Sequence, residues 1–182
     1  HHVALRGLHR QHDKNFHRET ADDLLFSEFD AQSYYPLTLI KVGLIPKLGG
    51  KKGEIFLSEY SGFYDRRVKA QIIKADKVAN TYKIILNGTF GKLGSIYCSF
   101  YSPDLLIAVT ITGQLNLLCL IYELERLNGV SVKSANTDGI VVAYPPAMRE
   151  AVLKVLGENS KRTGYKYGET PYSAIAMKDV NN

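Results

Sequence analysis

Only two cysteines, Cys98 and Cys119, occur in the 182 residues. Two thiols so placed give neither a disulfide framework nor a zinc-ligand spacing, and they suit a reducing compartment. Histidine is missing beyond position 17. His1, His2, His9, His12 and His17 are all five, which confines any histidine metal site to an opening stretch read as flexible or tag-like. No signal-peptide pattern opens the sequence, and no repeat or low-complexity tract interrupts it. Charge is absent from Leu105 to Tyr122, a run long enough to raise a membrane span. Thr110, Thr112, Gln114 and Asn116 lie within it, so a buried core helix is expected and no membrane. The chain starts without Met and stops at Asp179-Val180-Asn181-Asn182, inside strand-like sequence. A fragment of something longer is expected.

What is present fits one domain, or a domain carrying a subdomain, with a real core. Hydrophobic residues make up 45% and charged residues 23%, ordinary for a globular chain. The formal net charge of +5 is unevenly spread. Residues 41–92 hold eleven Lys or Arg against four acids, while the rest of the chain is slightly acidic. Such concentration points to a phosphate-bearing partner, nucleic acid or nucleotide. A solvated, lysine-rich face explains the charge equally well.

Along the chain, residues 1–20 are polar and weakly structured by pattern. Residues 25–30 alternate as a strand does, and Asp30 to Pro36 leaves it. Pro36 biases Tyr35 away from helical dihedrals, so a helix is expected from near Pro36. Residues 43–53, rich in glycine and lysine, read as a loop and a subdomain boundary. Helices over about 54–74 and 77–91, with a turn at Ala75-Asp76, make an αα-hairpin. Ser102-Pro103-Asp104 opens another helix that Asn128-Gly129 closes. A hairpin around Asp138, a helix over about 146–156 and strand-like residues 173–180 follow. The sum is an α+β fold with a helical hairpin inserted.

Two stretches carry chemistry. Asn136 to Gly139 is turn sequence between β-branched residues, and a tight hairpin there displays Asp138 at its tip. Asp-Gly is also a common hairpin turn with no chemistry attached. If the strand ending at Asp30 pairs with that hairpin, two carboxylates reach the same metal ions, the arrangement that two-metal phosphoryl transfer requires. In the second helix of the hairpin, Lys83 and Asn87 share a face. Gly88 and Gly91 fall on or beside it. Each glycine costs a helix about 1 kcal/mol relative to Ala, so they either admit something bulky or end the helix.

These residues resemble the family B, polymerase-α-like DNA polymerases. Asp30-Ala31-Gln32-Ser33-Tyr34-Tyr35-Pro36 is similar to motif A, Lys83 through Gly91 to motif B, and Asn136-Thr137-Asp138-Gly139 to motif C. The order of the motifs and the basic hairpin between the first two match the family, and the departures suggest a bacteriophage or other viral branch. Gly7-Leu8-His9 is similar to a Gly-Gly-x-His stretch ahead of motif A in relatives. The resemblance implies a polymerase palm, an antiparallel sheet backed by helices, with an inserted α-helical-hairpin fingers subdomain. Its parts would be palm over 1–45, fingers over 46–91 and palm over 92–182, with the parent chain's exonuclease and thumb domains missing.

The resemblance also implies roles. Asp30 and Asp138 would be the catalytic metal ligands, with the Ala31 carbonyl as a further one, for two Mg²⁺ ions or Mn²⁺ in their place. Ser33 and Tyr34 would hold phosphate oxygens through their amides, and Tyr35 would exclude a 2′-hydroxyl. Lys83 and Asn87 would bind the triphosphate, helped by Arg66, with Arg67 an equal candidate. Phe90 and Gly91 would meet the nascent base pair, and Lys178 the primer end. Three departures stand out: Asn136 replaces the first Asp of motif C, Gly139 its Ser, and Phe90 the Tyr of motif B. The expected activity is template-directed DNA synthesis from primer–template DNA and deoxynucleoside triphosphates, in the cytoplasm, a host's if the source is viral. The alternatives are a non-catalytic nucleic-acid-binding fragment and another palm-type nucleotidyltransferase.

Overall fold

The computed structural model describes residues 2–4, 7–11, 16–20, 23–46 and 51–177. These form two compact units, one of residues 1–32 with 113–182 and one of residues 33–112. The first is built on strands β1 (His2–Ala4), β2 (Gly7–Gln11), β3 (Phe16–Glu19) and β4 (Leu25–Ala31). Later in the chain come β5 (Ser131–Asn136), β6 (Gly139–Tyr144), β7 (Tyr167–Tyr172) and β8 (Ala174–Met177). Six of them make an antiparallel sheet in the order β1-β2-β5-β6-β4-β7, and β3 pairs with β8.

The period of two along β4 sorts its side chains. Phe29 faces the helices of this unit, while Phe26 packs on the other side with Ala143 and Ile175. On the helical side, α4 (Pro103–Glu125) contributes Leu117, Leu120, Ile121 and Leu124, at helical spacing. Val152 and Leu156 of α5 (Arg149–Thr163) join them against Val132, Ile140 and Val142. The uncharged run thus ends in a core. Its helix is also the one among the described residues long and apolar enough to cross a membrane.

A polar network ties the far edge of the sheet. Buried Ser27 meets the Tyr144 hydroxyl at 2.8 Å and donates to Glu169 Oε1 at 3.0 Å. Arg149 donates to both Glu169 oxygens, at 2.6 and 2.9 Å. These bonds, Arg149's first, hold the Glu169 carboxyl below its usual range.

The second unit holds α1 (Tyr34–Val42), α2 (Lys51–Ile72), α3 (Asp76–Lys92) and the start of α4. Tyr60 of α2 packs with Leu86 and Phe90 of α3, Leu39 of α1, and Leu105 and Val109. Burial pushes the Tyr60 hydroxyl's pKa up, and that hydroxyl donates to the Leu86 carbonyl at 2.9 Å. An α+β fold with a helical hairpin is therefore what the chain forms.

Several boundaries differ from the pattern reading, each for a physical reason. The first 19 residues contribute three strands, because main-chain pairing with β5 and β8, and of β1 with β2, holds them without side-chain alternation. α1 starts at Tyr34, two residues ahead of Pro36. First-turn amides have no helical acceptor, so proline loses nothing there, and burial of Tyr34, Pro36 and Leu37 outweighs the local bias at Tyr35. α5 runs on to Thr163, seven residues past the expected end, and stops at Gly164 with φ 83°. β7 was hidden by Gly168 and Pro171. As the edge strand beyond β4 it tolerates a proline.

Two measurements follow. Leu120→Ala, at a fully buried core position, should cost about 2–5 kcal/mol in urea unfolding. Because the Glu169 pKa is depressed on folding, its contribution to stability is present above the ordinary Glu value. It fades as pH falls through the lowered one. Glu169→Gln should flatten that acid limb.

Candidate functional site

Strand register decides where the two acids go. β4 and β6 pair antiparallel with Asp30 opposite Gly139, the residue after Asp138, and the Ala31 amide donates to the Asp138 carbonyl at 2.9 Å. Asp30 and Asp138, 108 positions apart in sequence, are thus brought together at one end of the sheet. Asp30 is exposed, on the face away from Phe29. Its partner across β7 is Gly168, so a glycine pairs with it on each side. Gly139 pairs in turn with Asn136, and Asn136 with His9 of β2.

The loop of β5–β6 is Thr137-Asp138 alone. Thr137 has φ 56°, uncommon for a β-branched residue, and the Asp138 amide folds back to the Asn136 carbonyl at 2.6 Å. Strain of this kind concentrates at functional sites. A Cβ on Gly139 would meet Asp30 Oδ1 at 3.3 Å and Glu28 Oε1 at 3.6 Å, so the glycine keeps room for the carboxylates.

Whether a divalent metal suits these residues follows from their donor set. Two carboxylates and nearby main-chain carbonyls are hard oxygen donors. Among the described residues no three His, Cys, Asp or Glu side chains converge into a closed cage. Mg²⁺ is ordinarily held by one or two carboxylates together with water and substrate phosphates. The residues fit that open mode.

In the other unit, Ser33 caps α1 in the left-handed region (φ 55°, ψ 39°) without a side-chain capping bond. Its hydroxyl accepts instead from the Arg67 guanidinium. Arg67 is 8% exposed, its Nε has no hydrogen-bond partner among the described residues, and burial lowers its pKa. A buried cation thus stands beside a helix N-terminus, where the dipole also favours negative charge. Arg66, one residue earlier, points elsewhere: it is exposed and lies over the Phe63 ring at 5.5 Å.

The Tyr35 ring stacks on Phe90 with centroids 4.8 Å apart and planes 11° apart, and Tyr34 meets Tyr35 edge-on at 5.8 Å. Phe90 is 9% exposed, so its face is taken by Tyr35. Tyr34 is buried and offers only main chain at the helix start. Lys83 and Asn87 are exposed one turn apart on α3, with Gly91 a turn further. α3 continues through Gly88 and past Gly91 to Lys92, so neither glycine ends it. A Cβ at either would meet nothing within 4 Å; nothing in the described chain requires glycine there. Lys178 lies outside the described residues.

Sequence reasoning missed Gly168 and Glu28. The first sat in an unrecognised strand. The second was legible, since Glu28 precedes Asp30 by two and a strand puts such residues on one face.

No family model and no curated protein matches the sequence. A solved structure does match in fold: the family B DNA polymerase from the hyperthermophilic archaeon Pyrobaculum calidifontis, at TM-score 0.65 and 16% identity. The match covers 94% of this chain and 27% of that one. The chain therefore has the fold of a piece of a family B DNA polymerase and spans about a quarter of that protein's length.

Gly88→Ala should raise unfolding stability by about 1 kcal/mol, the helix-propensity difference, since the added methyl meets nothing. Loss of stability in thermal or urea unfolding would mean the space is not open.

Proposed function

We propose that the chain is the palm and fingers of a template-directed DNA polymerase, adding deoxynucleotides to a primer 3′-hydroxyl with release of pyrophosphate. One observation carries the reading: the β4–β6 register that sets Asp30 beside Asp138. The fold match and the strained two-residue turn support it. When bound, two Mg²⁺ ions would supply charge compensation for the attacking and leaving oxygens; Asp30, Asp138 and the Ala31 carbonyl are the groups to hold them.

The chain's own residues do the rest. Positioning and charge dominate phosphoryl transfer. The start of α1 at Ser33 and Tyr34 offers amides to a triphosphate, and Arg67 is the buried cation aimed at that point. Lys83 and Asn87 lie on an exposed side of α3 with charge and amide to offer the same group, and Arg66 adds to the basic surface. Tyr35, its ring fixed by Phe90, excludes a 2′-hydroxyl. Gly91, with Gly88, leaves α3 open to a base pair. The basic stretch over residues 41–92 contacts nucleic-acid phosphates, so binding weakens as salt rises. A viral source and action in the cytoplasm belong to the same proposal.

Asn136 in place of an acid favours one other reading, a nucleic-acid-binding fragment without catalysis. Primer extension by the full-length parent with Mg²⁺ separates the two. Wild type should extend and Asp138→Ala should fall to background; equal extension by both would defeat the metal assignment. Tyr35→Ala should admit ribonucleotides. Arg67→Ala should raise the nucleotide KM roughly tenfold, the loss of a charge-assisted bond, and more than Arg66→Ala does.

A further inference from the structure

Glu28 leans over the same glycine as Asp30. Both acids lie on one face of β4, and both direct an oxygen at the bare Cβ position of Gly139. Those oxygens are separated by no more than the sum of 3.3 and 3.6 Å. The Tyr172 hydroxyl, on the facing edge strand β7, donates to the other Glu28 oxygen. That bond, with burial and the Glu28 charge, pushes the Tyr172 pKa up to about 12, so the donor stays protonated at ordinary pH. Glu28 is therefore a tethered carboxylate.

Two like charges on one strand face repel, and a divalent cation beside them relieves the repulsion. Asn136, also paired with Gly139, is neutral, and β5 carries no acid, so this side of the hairpin supplies no negative charge. The number of negative ligands sets the affinity of oxygen sites for hard cations.

We propose that Glu28, held by Tyr172, is a positioning residue of the cation site at Asp30 and Asp138, supplying from β4 the negative charge that Asn136 does not. It acts from outside the direct ligands, through its charge and a bridging water, in keeping with the absence of a three-residue cage among the described residues. This rests on the metal reading proposed above and extends it to Glu28.

The test is Mn²⁺ binding to the full-length protein without DNA or nucleotide, read by electron paramagnetic resonance. Glu28→Gln keeps the size and an acceptor for Tyr172. It should weaken Mn²⁺ binding about tenfold, the usual effect of an outer partner of a metal ligand, with an unchanged melting temperature. Tyr172→Phe should weaken it less, in the same direction. Asn136→Asp placed in the Glu28→Gln protein should restore most of the loss. Wild-type affinity in Glu28→Gln, while Asp30→Asn and Asp138→Asn lose binding, would overturn the role of Glu28 and leave the site standing. If the two aspartate variants also bind as wild type does, the metal reading itself fails.

Discussion

The pairing of β4 with β6 is the constraint from which the rest follows. A shift of one residue in that register would turn Asp30 to the helical face and Phe29 away from its core. The register is fixed because both faces of β4 are buried against something: Phe29 against α4 and α5, Phe26 against Ile175 of β8. Hydrophobic packing on two sides thus positions a carboxylate that is itself exposed. β7 adds a second lock, pairing with β4 from Phe26 to Ala31.

A similar economy holds in the helical unit. The buried Tyr60 hydroxyl and the Leu86 carbonyl join the two helices at mid-length, and the aromatic cluster around them extends to Phe90 and Tyr35. The stack between those two rings is therefore an extension of the core. The Tyr35 ring, held face to face on Phe90 and backed by that core, has little freedom to turn.

Much of this was legible in the sequence, and what was not has identifiable causes. The β-branched run around Ser134 to Val142 announced its hairpin, and Ser102-Pro103 announced α4, because these signals are local. Asp30 and Asp138 could be named as candidates from turn chemistry and motif order. That they share a sheet end depended on long-range pairing that no local pattern encodes. β1 and β7, the two edges of the six-stranded sheet, escaped notice because edge strands draw their definition from a neighbour's main chain, and β2 because its polar sequence lacks alternation. The orientation of Arg67 was invisible for another reason: adjacent helical residues point about 100° apart, and only packing tells which of two arginines turns inward.

Thr137 carries one more implication. Glycine would occupy its backbone conformation without strain, yet would let the loop visit mirror-image shapes. A branched side chain there excludes most of those shapes at a cost in local energy. The hairpin tip therefore gives up comfort for stillness, and the carboxylate next to it inherits a narrower range of wandering than a softer turn would allow.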